Sequence, residues 1–155
     1  IMKMKYTYLL LASFLILSSC KEEEIIIDSN PLGTSLSCKI DGEDFSDNSP
    51  EISVNGSDMM SIKLSDVLEI KVYSFSQKSE GETIYFSAPA MGIVSFGGAT
   101  YSSTYNGPPY DGQIVFTTLE DETLSGTFSF KAQDVDPTMF TNIWVTEGVF
   151  ENISY

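Results

Sequence analysis

The sequence predicts an all-β fold: an antiparallel β-sandwich, with a small closed β-barrel as the alternative, preceded by a signal-peptide helix and a flexible tether. Three observations carry that reading. Apolar and polar residues alternate with period two in several separate stretches, the mark of half-buried antiparallel strands. Between those stretches sit Asx-Gly and related pairs, which supply the positive φ values that tight turns need. After residue 30 no stretch combines a helical period with caps. About eight to ten short strands would then fill the chain, as in a sandwich or barrel.

Residues 1–19 come first and read as an address. Lys3 and Lys5 give a positive start, Tyr8 to Leu17 is almost wholly apolar, and the small Ser18 and Ser19 precede Cys20. That is the layout of a cleaved secretory signal. The apolar run is roughly half of the ~20 residues that a transmembrane helix requires. Leu17-Ser18-Ser19-Cys20 resembles the lipobox of bacterial lipoproteins. The resemblance implies cleavage before Cys20 and acylation of that cysteine, which ties the chain to a membrane. One acyl chain binds only marginally, whereas several hold firmly.

Lys21-Glu22-Glu23-Glu24 resembles the surface-export signal of lipoproteins from the Bacteroidota. It implies an outer-membrane protein displayed on the cell surface; a solvated spacer on a periplasm-facing anchor is the alternative. Residues 20–34 form the lipidated N-terminus and tether, reaching roughly 45 Å if extended. Ile25–Ile27 shortens it if that triplet adds an edge strand.

Residues 35–155 read as a single β domain. Leu36, Cys38 and Ile40 share one face of a period-two pattern, so Cys38 is expected to act as a small buried hydrophobe. With Cys20 lipidated, the second of the two cysteines has no intramolecular partner. Met60, Ile62 and Leu64 alternate with polar residues, as do Leu68, Ile70 and Val72, and Phe128, Phe130 and Ala132. Asp41-Gly42, Asn55-Gly56, Ser125-Gly126 and Glu147-Gly148 are the expected turns. Residues 95–112 are the least strand-like part and carry Tyr101, Tyr105 and Tyr110. Loop tyrosines are rigid and amphipathic, which makes these three candidate ligand contacts. A long connection pinned by its own aromatics is the plainer account. In the closing stretch Phe150 is out of phase with Ile153 and Tyr155. A β-bulge at Glu151–Asn152 would bring all three onto the core face, and a strand with two apolar sides, Phe150 packing on a neighbouring loop, is the alternative.

Composition narrows the chemistry. The chain holds 22 acidic residues against 8 lysines, with neither Arg nor His, for a net charge of −14. Such a surface repels nucleic acid, whose binding depends on clustered Lys and Arg. It favours neutral or cationic partners. Without His there is no Ser-His-Asp or Cys-His system. There is also no Gly-x-Ser-x-Gly elbow and no phosphate-binding loop. A pair of carboxylates could still serve a hydrolase, but acidic residue types alone carry little information in so acidic a chain. Asp41, Glu43, Asp44, Asp134 and Asp136 sit on expected turns and are weak calcium candidates. They lack the EF-hand spacing, so no metal or cofactor is assigned.

With the lipobox, the stretches CKIDGEDF (38–45), LSGTFSFKA (124–132) and VTEGVFENISY (145–155) resemble a family of uncharacterised lipoproteins widespread in the Bacteroidota. The resemblance implies a secreted, lipid-anchored β domain and brings no catalytic residues with it. The expected function is a non-catalytic binding or adhesion module with a glycan or protein partner. The alternatives are a structural or assembly component of the outer membrane, and an acid-pair hydrolase.

Overall fold

The computed structural model describes residues 33–87, 89–104, 111–120 and 122–155. Leu17, Ser18, Ser19, Cys20, Lys21, Glu22, Glu23, Glu24 and the Ile25–Ile27 triplet lie outside the described residues, as do Tyr105 and Tyr110. The strands are β1 (Ser35–Ile40), β2 (Glu43–Asp47), β3 (Glu51–Val54), β4 (Met59–Leu64), β5 (Leu68–Tyr73) and β6 (Thr83–Tyr85). They continue with β7 (Ala90–Phe96), β8 (Ala99–Ser102), β9 (Gly112–Glu120), β10 (Thr123–Asp134) and β11 (Asn142–Ser154). A 3-10 turn over Phe75–Gln77 interrupts the series.

The all-β antiparallel expectation holds, with the two facing layers hydrogen-bonded as one curled sheet in a half-barrel. The order is β2-β1-β11-β10-β8-β7-β5-β4-β3, and β9 branches from β10 with β6 beyond it. One arm therefore contains β6, β9, β10, β11, β1 and β2, and the other runs from β8 to β3. Their inner faces meet. Phe45 of β2 stands edge-to-face with Phe96 of β7, ring centres 6.0 Å apart. The Phe130 ring of β10 lies against Gly92 of β7, and Phe75 meets Phe116 of β9 at 5.9 Å.

The alternating residues behave as the sequence predicts. Leu36, Cys38, Ile40, Met60, Ile62, Leu64, Leu68, Ile70, Val72, Phe128, Phe130 and Ala132 are all buried. Burial pushes the Cys38 thiol up to about 11, because the thiolate would lose its water.

Strand β11 contains the bulge expected at its end and a second one. Leu124 pairs with Ile153 and Gly126 with Phe150, so β11 carries one extra residue between those pairs. Asn152 takes a φ of 51° there. Phe150 and Ile153 reach the core, while Tyr155 remains partly exposed and stands edge-to-face on Phe75 at 5.2 Å. A further extra residue lies between the pairs Phe128–Gly148 and Phe130–Val145, where Glu147 has a φ of 52°.

Two expected turns are thus corrected. Ser125-Gly126 and Glu147-Gly148 lie inside long strands, at or beside bulges, rather than at hairpin tips. Close approach explains both glycines: a Cβ on Gly148 would strike the Phe128 ring, and one on Gly126 would strike the Val115 carbonyl and the Phe150 ring. The segment 95–112 is corrected as well, since it opens with a β7–β8 hairpin. Gly97 and Gly98, with φ of 60° and 83°, form its two-residue turn.

Asp58 anchors the 3-10 turn. Its Oδ1 accepts the Ser76 N–H at 2.8 Å and its Oδ2 accepts the Ser76 hydroxyl at 2.7 Å. Those bonds, the hydroxyl's first, hold the Asp58 carboxyl below its usual range. Its carbonyl accepts the Phe75 N–H at 3.0 Å, which fixes the ring over Phe116.

Three outcomes follow. Gly148→Ala and Gly126→Ala should each destabilise by about 1–3 kcal/mol in urea unfolding, the usual cost of overpacking. Asp58 has a depressed folded pKa, so its contribution is complete above the ordinary carboxylate value and lost as pH falls through the folded one. Thermal unfolding between roughly pH 5 and pH 3 should therefore show a steeper loss for the wild type than for Asp58→Asn. Cys38 should resist thiol reagents at pH 8 until the chain is unfolded in urea.

Candidate binding face

The outer face of the β6–β9–β10–β11 arm carries Trp144 and Tyr85, two of the exposed aromatic side chains that the core leaves over. In β11 the residues Ile143 and Val145 point inward, so Trp144 between them points out and stays 50% exposed. Its backbone is clamped by the β1–β2 turn. The Trp144 N–H donates to Asp41 Oδ1 at 3.1 Å, and the Asp41 N–H donates to the Trp144 carbonyl at 2.9 Å. Lys131 is its direct cross-strand neighbour, with Nζ 5.5 Å from the indole centre, a cation–π geometry. The ammonium also lies 3.9 Å from Asp111, whose carbonyl accepts the Lys131 N–H at 2.7 Å. The chain thus holds one face of the indole and leaves about half of the ring open.

Tyr85, 59% exposed, projects from the same face three strands away. It pairs with Gln113, which pairs in turn with Ser129. Beside them the Glu147–Gly148 bulge sinks the surface into an open depression of about 440 Å³, lined by Gln113, Thr127, Ser129, Glu147 and Val149 among others. A smaller hollow of about 280 Å³ continues across β1 and β2 and shares Glu147 with the first. There Lys39 pairs with Glu147 at 2.7 Å. From β9 to β2 the two hollows together cross five strands, roughly 19 Å at the usual strand spacing.

Position along the sheet matters as much as exposure. Ser35 pairs with Glu151 and Ile40 with Val145, so the chain enters β1 at one end of the arm and Trp144 lies at the other. The β10–β11 connection is at the Trp144 end too and exposes Val135, Met139 and Phe140, the last at 81%. The described ends of the tyrosine-rich segment, Thr104 and Asp111, also lie there, through the pairing of Ser102 with Gln133 and the Asp111–Lys131 bond.

The residues singled out from the sequence fare unevenly. Tyr101 is not on a loop: it belongs to β8, pairs with Asp134 and Val94, and packs partly buried against the core. The weak calcium candidates are spread over separate turns and strands. Asp41 clamps Trp144, Glu43 and Asp44 lie along β2, and Asp134 Oδ1 accepts the Asp136 N–H at 2.9 Å. Asp136 Oδ1 accepts the Thr138 hydroxyl at 2.7 Å and its N–H at 2.8 Å, and these bonds hold that carboxyl below its usual range. Among the described residues, no three His, Cys, Asp or Glu side chains converge to hold a cation.

Sequence reasoning passed over Trp144, Tyr85 and Gln133. The signal was present for the first two, since Ile143-Trp144-Val145 and Ile84-Tyr85-Phe86 each put an aromatic at the polar phase of an alternating strand. Gln133 gave none. Lys131→Met should shift the emission of Trp144, the single tryptophan of the chain, and change its quenching by iodide.

Among the described residues, no helix is long and apolar enough to cross a membrane. No curated protein and no solved structure matches the chain. Residues 44–154, from β2 through the last residue of β11, match the family described as Domain of unknown function (DUF6252), and the chain belongs to that family.

Proposed function

We propose that this chain is a non-catalytic binding module, lipid-anchored at the outer membrane through Cys20 and displayed on the cell surface. The anchor and address rest on the lipobox Leu17–Cys20, on Lys21–Glu24, and on the resemblance to lipoproteins of the Bacteroidota. One observation carries the binding role. Trp144, Phe140 and Met139 are exposed together at the end of the sheet opposite to where the tether joins β1. A chain held by its N-terminus presents that end to its surroundings, and large apolar side chains left open there mark interaction sites. The acidity of the chain directs the choice of partner towards neutral or cationic surfaces.

Protease added to intact cells of a Bacteroidota host expressing the chain is expected to digest the β domain while a periplasmic control survives. Cys20→Ser should release the chain from the membrane fraction. Protection on intact cells, with digestion once detergent opens them, would overturn surface display. For the binding role, glycan and protein arrays probed with the chain should yield a partner whose affinity falls at least tenfold in Trp144→Ala. Tyr73→Ala, on the other arm, should leave that affinity unchanged.

A further inference from the structure

We propose that the Trp144 face binds a neutral saccharide: one sugar hydroxyl donates to the carboxamide of Gln133, and the C–H face of the same ring seats on the Trp144 indole. This deepens the binding-module reading and rests on it. The observation behind it is an orphan. Gln133 is 8% exposed and its Oε1 has no hydrogen-bond partner. A buried acceptor without a donor is destabilising, and native chains keep few of them.

Register places this acceptor beside the indole. Residues 131 and 133 of β10 project to the same side, as do residues 142 and 144 of β11, and Lys131 pairs with Trp144 while Gln133 pairs with Asn142. Gln133 and Trp144 are therefore diagonal neighbours, roughly 7–8 Å apart. One hexose ring with its hydroxyls bridges that span.

The nearby donors are committed elsewhere. The Ser102 hydroxyl, cross-strand from Gln133 on its other side, lies 3.1 Å from the Thr104 hydroxyl and accepts the Thr104 N–H at 3.4 Å. Asn142 has its own interaction. The Lys131 ammonium is held between the indole and Asp111.

The chemistry of the donor follows from exclusions. An ionised carboxylate offers the carbonyl oxygen no donor, and a net charge of −14 opposes the approach of any anion. A cation at the indole would meet the like charge of the Lys131 ammonium, 5.5 Å from the ring centre. An uncharged hydroxyl on an apolar-faced ring satisfies both the carbonyl and the aromatic platform.

The full chain, purified in a detergent without a sugar headgroup, is titrated with dextran, laminarin, mannan and xyloglucan, with polygalacturonate as the anionic comparison. Trp144 emission and affinity electrophoresis read the binding. At least one neutral polysaccharide is expected to shift the emission and retard the chain. Gln133→Leu should weaken that binding at least tenfold while leaving the unfolding temperature unchanged or higher, because it removes an unpaired acceptor. Trp144→Ala should abolish it.

If none of the four neutral polysaccharides binds, or only polygalacturonate does, the proposal is wrong. It is equally wrong if Gln133→Leu binds as the wild type does: the acceptor is then met by water. In that last case the binding-module reading survives, provided Trp144→Ala still reduces binding.

Discussion

Strand β10 is paired along both edges to three different neighbours, and the rest of the structure depends on that pairing. One edge carries β11 from Thr123–Ser154 to Gln133–Asn142. The other carries β9 from Thr123 to Phe130, then β8 at Gln133 and Asp134. A buried strand cannot leave its N–H and C=O groups unpaired. A twelve-residue strand also twists enough to point its two halves in different directions. As β9 leaves, β8 takes over and starts the second arm, which the twist turns back over the first. Phe128 and Phe130 project from β10 into the space that this turn encloses.

The bulges of β11 extend the same logic to the surface. Without an extra residue at Glu147, the alternation that buries Ile143 and Val145 would send Gly148 and Phe150 outward. With it, Gly148 lies against the Phe128 ring and Phe150 reaches Phe116, at 6.0 Å between ring centres. The same correction leaves the hollow beside Glu147 on the outer face. Core phase and surface shape are set by one insertion.

The two outer faces differ in how far they satisfy themselves. On the β3–β8 arm, Lys63 pairs across strands with both Glu51 and Glu69. Glu69 takes a hydrogen bond from Ser61 at 2.8 Å and faces Lys71 at 3.2 Å. Burial works against the Glu69 carboxylate, but those bonds outweigh it and hold the carboxyl below its usual range. On that face the Glu69 charge is met. The Trp144 face keeps an open indole and an acceptor without a donor. At the sheet's ends, β2 carries Glu43, Asp44 and Asp47, and β3 carries Glu51. Like charges on these two edge strands oppose strand addition there by another copy.

The sequence by itself determined the strands and their inward faces, because a side-chain period of two is a local property. It also announced the Glu151–Asn152 bulge, since a phase break in a strand must be absorbed somewhere. The acidic charge was legible from composition alone. Tertiary structure decided what depends on residues distant in the chain. Glycines in Ser125-Gly126 and Glu147-Gly148 read locally as turns; only the arrival of the Phe150 and Phe128 rings explains them as close approaches. Tyr101 read as a loop residue because the Gly97-Gly98 hairpin was hidden in a Gly-rich stretch, and its place against the core came from β10. Gln133 is polar at an outward position, like any solvated residue; its burial and its missing donor exist only where β8, β10 and β11 converge.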